Sequence, residues 1–157
     1  MLLSFIPVIS SLGQDISGSE KKTKGGWTKE DLKNFEKIDS LIKNQQFVFE
    51  SEFFQSSDEL FIAVDSGYAE IQAGNRNNLQ GRITQYQVKR NDKKKTLSVT
   101  IKMRGSMSTG DIFLFIAADG TGDARVNSDF PGNFSYTGKV VDLQHTTIYQ
   151  GRSPFIH

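Results

Sequence analysis

DIFLFIAADGTGDARVNSDFPGNFSYTGK, residues Asp111 to Lys139, reads as three strands and two turns, and this reading decides the fold. Ile112 to Ala118 is a continuous apolar run. It is too short to span a bilayer and has the length of a strand, read here as buried on both faces. Asp119-Gly120-Thr121-Gly122 supplies residues that tolerate the positive φ of a tight hairpin. Ala124 to Asn127 then returns antiparallel, and Phe130-Pro131-Gly132-Asn133 is a second turn signal. Phe134 to Val141 resumes with aromatic and β-branched residues, and Gly138 within it marks a bulge or a close backbone approach.

Working outward, the clearest hairpin joins Arg82–Arg90 to Lys95–Arg104 through Asn91-Asp92-Lys93-Lys94. In its second arm Leu97, Val99, Ile101 and Met103 alternate with Ser98, Thr100, Lys102 and Arg104, so one face is buried and the other wet. Upstream, Gln46 to Phe54 places Phe47, Phe49 and Phe53 at alternating positions. Leu60 to Val64 and Tyr68 to Ala73 flank a turn at Asp65-Ser66-Gly67. By composition, Gly74 to Gly81 and Gly105 to Gly110 are loops. A further short strand is expected at Thr146 to Tyr149. Trp27 to Lys43 is the one helix, capped by Thr28, with Glu30 and Asp31 in the first turn and Leu32, Phe35, Ile38, Leu41 and Ile42 on one face.

The fold class is therefore mainly β (α+β): about eight antiparallel strands forming a sandwich or a partly closed barrel, with one amphipathic N-terminal helix. Residues 1–13 read as the remnant of a secretory signal peptide, the alternative being a plain apolar tail. Residues 14–26 read as a flexible linker, 27–150 as a single β-rich domain and 151–157 as a tail. The signal reading implies an exported protein, periplasmic or extracellular.

The 157 residues carry a net charge of +1, so no global field draws the chain to nucleic acid or membrane. No cysteine is present, which excludes disulfides, thiolate metal sites and a cysteine nucleophile in this sequence. Twelve Phe against one Trp suit a packed β-rich core that fills itself or lines a small apolar pocket.

Three stretches are similar to one known family: KNQQFVFESE at Lys43 to Glu52, IAADGTGDARVNSD at Ile116 to Asp129, and FSYTGKV at Phe134 to Val140. Together they resemble the bacterial domain-of-unknown-function family 4251, over roughly Leu41 to Val141. The most specific part is Ser135, Tyr136 and Gly138 following Gly122, Ala124 and Val126. The resemblance implies a small exported β-rich protein of Bacteroidetes type and names no reaction. The chain departs from the family pattern at Ala73 to Asn78, where an aromatic Leu-Pro-Tyr-like segment is usual.

Few residues suggest chemistry. His145 and His157 both lie near the C-terminus and match no zinc or serine-hydrolase arrangement. Asp119 and Asp123, in DGTGD, resemble the start of a calcium loop, but position twelve is Phe130 instead of a bidentate Glu, and a hairpin turn is the better reading. Glu50, Glu52 and Glu70 form the alternative, a hydrolase working through a carboxylate pair. Lys93, Lys94, Lys95 and Arg104 belong to a basic hairpin, 82–104, that offers a polyanion site; edge-protecting lysines are the plainer account. No cofactor motif is present. The resulting expectation is an exported, non-enzymatic binding or envelope-associated module. Its partner would be a small apolar ligand or an envelope protein, with no nucleic acid and no transmembrane segment.

Overall fold

The computed structural model describes residues 26–51, 60–73, 77–129 and 133–145. The chain divides into two compact units, Met1–Lys33 and Asn34–His157. In the first, the described residues hold the start of helix α1 (Lys29–Lys43). Thr28 and Asp31 cap that start reciprocally: the Asp31 N–H donates to Thr28 Oγ1 at 3.0 Å and the Thr28 N–H donates to Asp31 Oδ2 at 2.8 Å. Two of the N–H groups a helix leaves orphaned are thereby satisfied.

The second unit is a closed barrel of eight antiparallel strands in chain order. They are β1 (Gln46–Ser51), β2 (Leu60–Asp65), β3 (Tyr68–Ala73), β4 (Asn77–Asn91), β5 (Thr96–Arg104), β6 (Thr109–Ile116), β7 (Thr121–Ser128) and β8 (Phe134–Asp142). Closure comes from β8 pairing back onto β1, Phe47 opposite Asp142 and Ser51 opposite Gly138. Of the two expected forms, a sandwich or a partly closed barrel, the structure takes the barrel and closes it, so every strand has a neighbour on both sides. A register shift between Ile83 and Gln85 marks a bulge in the long strand β4.

Alternation along each strand sends one set of side chains inward. Phe47, Phe49, Ile62, Ile71, Leu97, Ile101, Ile112, Ile116 and Val126 fill the barrel and are fully buried. Polar and basic residues, among them Lys89, Lys102, Arg104 and Arg125, face out. This is the reverse of a membrane barrel, which turns its apolar face to lipid. No described helix is long and apolar enough to cross a membrane. β1 and β2 depart from simple alternation: outward-facing Val48, Phe61 and Ala63 are also buried, in a small cluster with Leu143 of a short 3-10 turn, Leu143–His145.

The part of α1 within the second unit, residues 34–43, packs on one barrel mouth, with Phe35, Ile38 and Ile42 buried. Gly120, in the β6–β7 turn beneath it, has φ 91°, and a Cβ there would lie 3.0 Å from Ile38 Cδ1. The Tyr86 hydroxyl of β4 donates to the Ile42 carbonyl, and burial pushes its pKa upward. Arg90 stacks 4.6 Å over the Phe35 ring and donates to Asp39 Oδ2 at 2.8 Å, Glu36 Oε1 at 2.5 Å and Asp92 Oδ1 at 2.6 Å. Buried Asp39 also receives Lys43 Nζ at 2.9 Å. Gln45, at φ 53°, turns the chain from α1 into β1.

Two expectations need correction. The run Ile112–Ala118 is not buried on both faces: Ile112, Leu114 and Ile116 point inward, while Phe113 and Phe115 are 37% and 56% exposed. Unbroken apolar residues hid an ordinary alternation. The segment 74–81 is not wholly a loop either, because β4 begins at Asn77 and pairs through Leu79 and Gly81 with β3. Polar composition there concealed a strand whose partner fixes it. Phe53, Glu52 and the strand expected at 146–149 lie outside the described residues.

Candidate functional site

The β5–β6 connection is a tight turn in which the Gly105 N–H donates to the Ser108 carbonyl at 2.8 Å. It sets Phe113 opposite Thr100 and Phe115 opposite Ser98. On the other side β7 sets Arg125 opposite Phe113 and Asp123 opposite Phe115. β8 adds Ser135 beside Arg125 and Thr137 beside Asp123. Two parallel rows result on the outer face, Thr100-Phe113-Arg125-Ser135 and Ser98-Phe115-Asp123-Thr137, around an open groove of about 700 Å³.

Its floor is rigid. Val99, Leu114 and Ala124 are buried beneath it, and Tyr136 packs on Phe49 with ring centroids 5.6 Å apart. Burial raises the Tyr136 pKa, so its hydroxyl stays protonated. Phe113 and Phe115 are, with Met107, the large exposed apolar side chains among the described residues. Among those residues Asp123 and Arg125 make no ion pair or side-chain hydrogen bond, and neither do the four hydroxyls of the two rows. The groove thus combines two aromatic faces with six polar groups whose side chains are not engaged by any described residue.

Of the sequence candidates, only Asp123 lies in this groove. Asp119 sits in the β6–β7 turn, where its Oδ1 accepts from the Thr121 N–H at 3.0 Å and the Thr121 hydroxyl at 2.6 Å. That is the turn geometry of an Asx residue, and it orients this oxygen toward the backbone. No cluster of three metal-ligating side chains exists among the described residues. Glu50 and Glu70 share the outer face but lie on β1 and β3 with β2 between them, Glu50 opposite Phe61 and Glu70 opposite Ala63. Each already interacts within the protein. Lys93, Lys94 and Lys95 occupy the β4–β5 turn, with Lys95 Nζ 5.9 Å from the Phe35 ring centre. Arg104 stands at the other end of β5, about 26 Å away along a strand rising about 3.3 Å per residue. The four basic candidates are therefore not brought together.

Phe113 and Phe115 were missed as site residues because they read as core. The signal that could have found them was in the next strand. Ser98 and Thr100 alternate outward, and a tight antiparallel turn places Phe113 and Phe115 on that same wet face.

A solved structure of a DUF4251 family protein from Bacteroides eggerthii is similar to this chain, with TM-score 0.64 at 18% identity over 79% of this chain and 97% of that one. This chain has the fold of a DUF4251 family protein. The segments that carry the resemblance, Lys43–Glu52, Ile116–Asp129 and Phe134–Val140, map to β1, the β6–β7 hairpin and β8. These elements are consecutive neighbours around the barrel. No family model matches the sequence. No curated protein matches it either.

Proposed function

We propose that this chain is a non-enzymatic binding module of an exported protein, and that it binds through the outer groove over β5–β8 instead of through the barrel lumen. The observation that carries the reading is the pair Phe113 and Phe115, exposed on a polar sheet face amid unengaged hydroxyl, carboxylate and guanidinium groups. Exposed aromatic centres with polar rims are the usual anatomy of binding surfaces. The lumen is a poorer place for the apolar ligand anticipated from the Phe-rich strands, since Phe47 and Phe49 are themselves fully buried in its packing. Export remains part of the proposal, supported by the apolar, uncharged stretch 1–13.

The test follows backbone amide signals of the isotope-labelled domain while soluble bacterial envelope extract is added. The reading expects shifts on β5–β8 that disappear in Phe113→Ala/Phe115→Ala. Shifts confined to the α1 end, or unaffected by the double substitution, would overturn it.

A further inference from the structure

The groove's own chemistry narrows the class of ligand, and this step rests on the binding reading above. The groove lies over β6 and β7, each of which is paired to a strand on both sides, so an extended peptide cannot be held there by adding a strand. Recognition falls to side chains. The groove is concave, so a second copy of the same face would enclose a void instead of filling it. One carboxylate and one guanidinium, Asp123 and Arg125, sit two residues apart and cancel, so the groove selects for neither anion nor cation.

What remains is two aromatic rings about 7 Å apart along one strand, flanked by hydroxyls and by groups that make forked hydrogen bonds. The face of a phenyl ring is electron-rich and attracts the weakly positive C–H face of a saturated ring. Asp accepts two hydroxyl hydrogens and Arg donates to two oxygens in a fork, a match to vicinal hydroxyl pairs. Ser98, Thr100, Ser135 and Thr137 both donate and accept, as a polyhydroxyl partner requires. An open groove also leaves room for a chain to continue at either end.

We infer that the groove binds a neutral oligosaccharide chain, with successive sugar rings stacked on Phe113 and Phe115 and their hydroxyls held by Asp123 and Arg125. Phe113 and Phe115 supply contact area, and the charged pair sets orientation.

The experiment titrates the labelled domain with cellohexaose, xylohexaose, maltohexaose, mannohexaose and laminarihexaose, and separately with envelope extract. At least one hexasaccharide should shift β5–β8 signals. Phe113→Ala/Phe115→Ala should abolish those shifts. Asp123→Asn and Arg125→Gln should each weaken the affinity at least tenfold, while Phe113→Trp keeps binding. The substituted side chains face solvent, and dispersion of the spectrum reports whether each variant is folded. If extract shifts the groove but every hexasaccharide is silent, the sugar assignment falls and the binding reading stands. If a hexasaccharide binds elsewhere, or binds the double variant equally well, the sugar assignment is again overturned. If neither probe shifts the groove, both readings fall.

Discussion

Replacing Gly138 with alanine should destabilise the barrel where it closes. A Cβ at Gly138 would lie 2.8 Å from the carbonyl carbon of Glu50, closer still to its oxygen, and 3.0 Å from Phe49 Cε1. Carbon atoms ordinarily stop at about 3.5 Å, so the carbon contact alone makes β8 and β1 separate by roughly 0.7 Å, and the nearer oxygen makes that a lower bound. Ladder hydrogen bonds near 2.9 Å would stretch to about 3.6 Å, where they cease to be hydrogen bonds. Each buried backbone pair broken costs about 1 kcal/mol, and overpacking adds about 1–3 kcal/mol. With two bonds affected the loss is roughly 3–5 kcal/mol, a large share of the about 5–15 kcal/mol that holds a typical domain folded. The neighbour is backbone of the paired strand, so a side-chain rotation cannot relieve it. Equilibrium urea unfolding measures this directly: Gly138→Ala should lower the midpoint steeply with the slope unchanged. A loss under about 1 kcal/mol would show that the β1–β8 pair is not the tight contact described, and the closure argument would fail.

Other predictions follow from the interior and the mouth. Phe49→Ala, which empties a fully buried position beneath the groove, should cost about 3–5 kcal/mol in the same assay. Arg90→Met leaves buried Asp39 with Lys43 as its one counter-ion among the described residues and should cost roughly 2–3 kcal/mol; adding Asp39→Leu should recover much of it, read as a double-mutant cycle. The Arg90 hydrogen bonds hold the Glu36 and Asp92 carboxyls below their ordinary values of 4.5 and 3.8. A lowered carboxyl pKa stabilises the fold at pH above those values, and the contribution disappears as pH falls below them. Acid unfolding should therefore be shallower below about pH 4.5 in Arg90→Met than in the parent, and equal slopes would refute the coupling. Thr28→Ala removes a capping partner and should reduce helix content with a cost of about 1 kcal/mol, followed by circular dichroism.

Strand number was legible because each strand here is punctuated by its own turn chemistry. Asp119-Gly120 and Asp65-Ser66-Gly67 announce reversals that the structure builds with positive φ at Gly120, Ser66 and Gly67. The alternation of Leu97 to Met103 stated the inward face of β5 outright. Closure was not legible, because Phe47 opposite Asp142 is a contact between distant parts of the chain that no local pattern encodes. The groove was hidden for a different reason. Hydrophobicity is a statement about a side chain, and exposure is a statement about its register partner; Phe113 and Phe115 carry the first signal of a core and the second of a surface. The start of β4 failed in the opposite sense, since Asn77 and Asn78 look like a loop and are fixed by pairing with β3.

Seven of the eight strand pairings join chain neighbours, and the eighth joins Phe47 to Asp142, 95 positions apart by their numbers. Hairpins form within about microseconds, whereas the closing contact must wait for all the intervening strands to align. The barrel's folding rate should then depend on that closing contact, and the test is whether refolding kinetics slow when the β1–β8 pair is weakened. Before β1 and β8 meet, both are strand margins of the kind that invite pairing between chains, so a circular permutant that makes them chain neighbours should refold faster with little change in the urea midpoint.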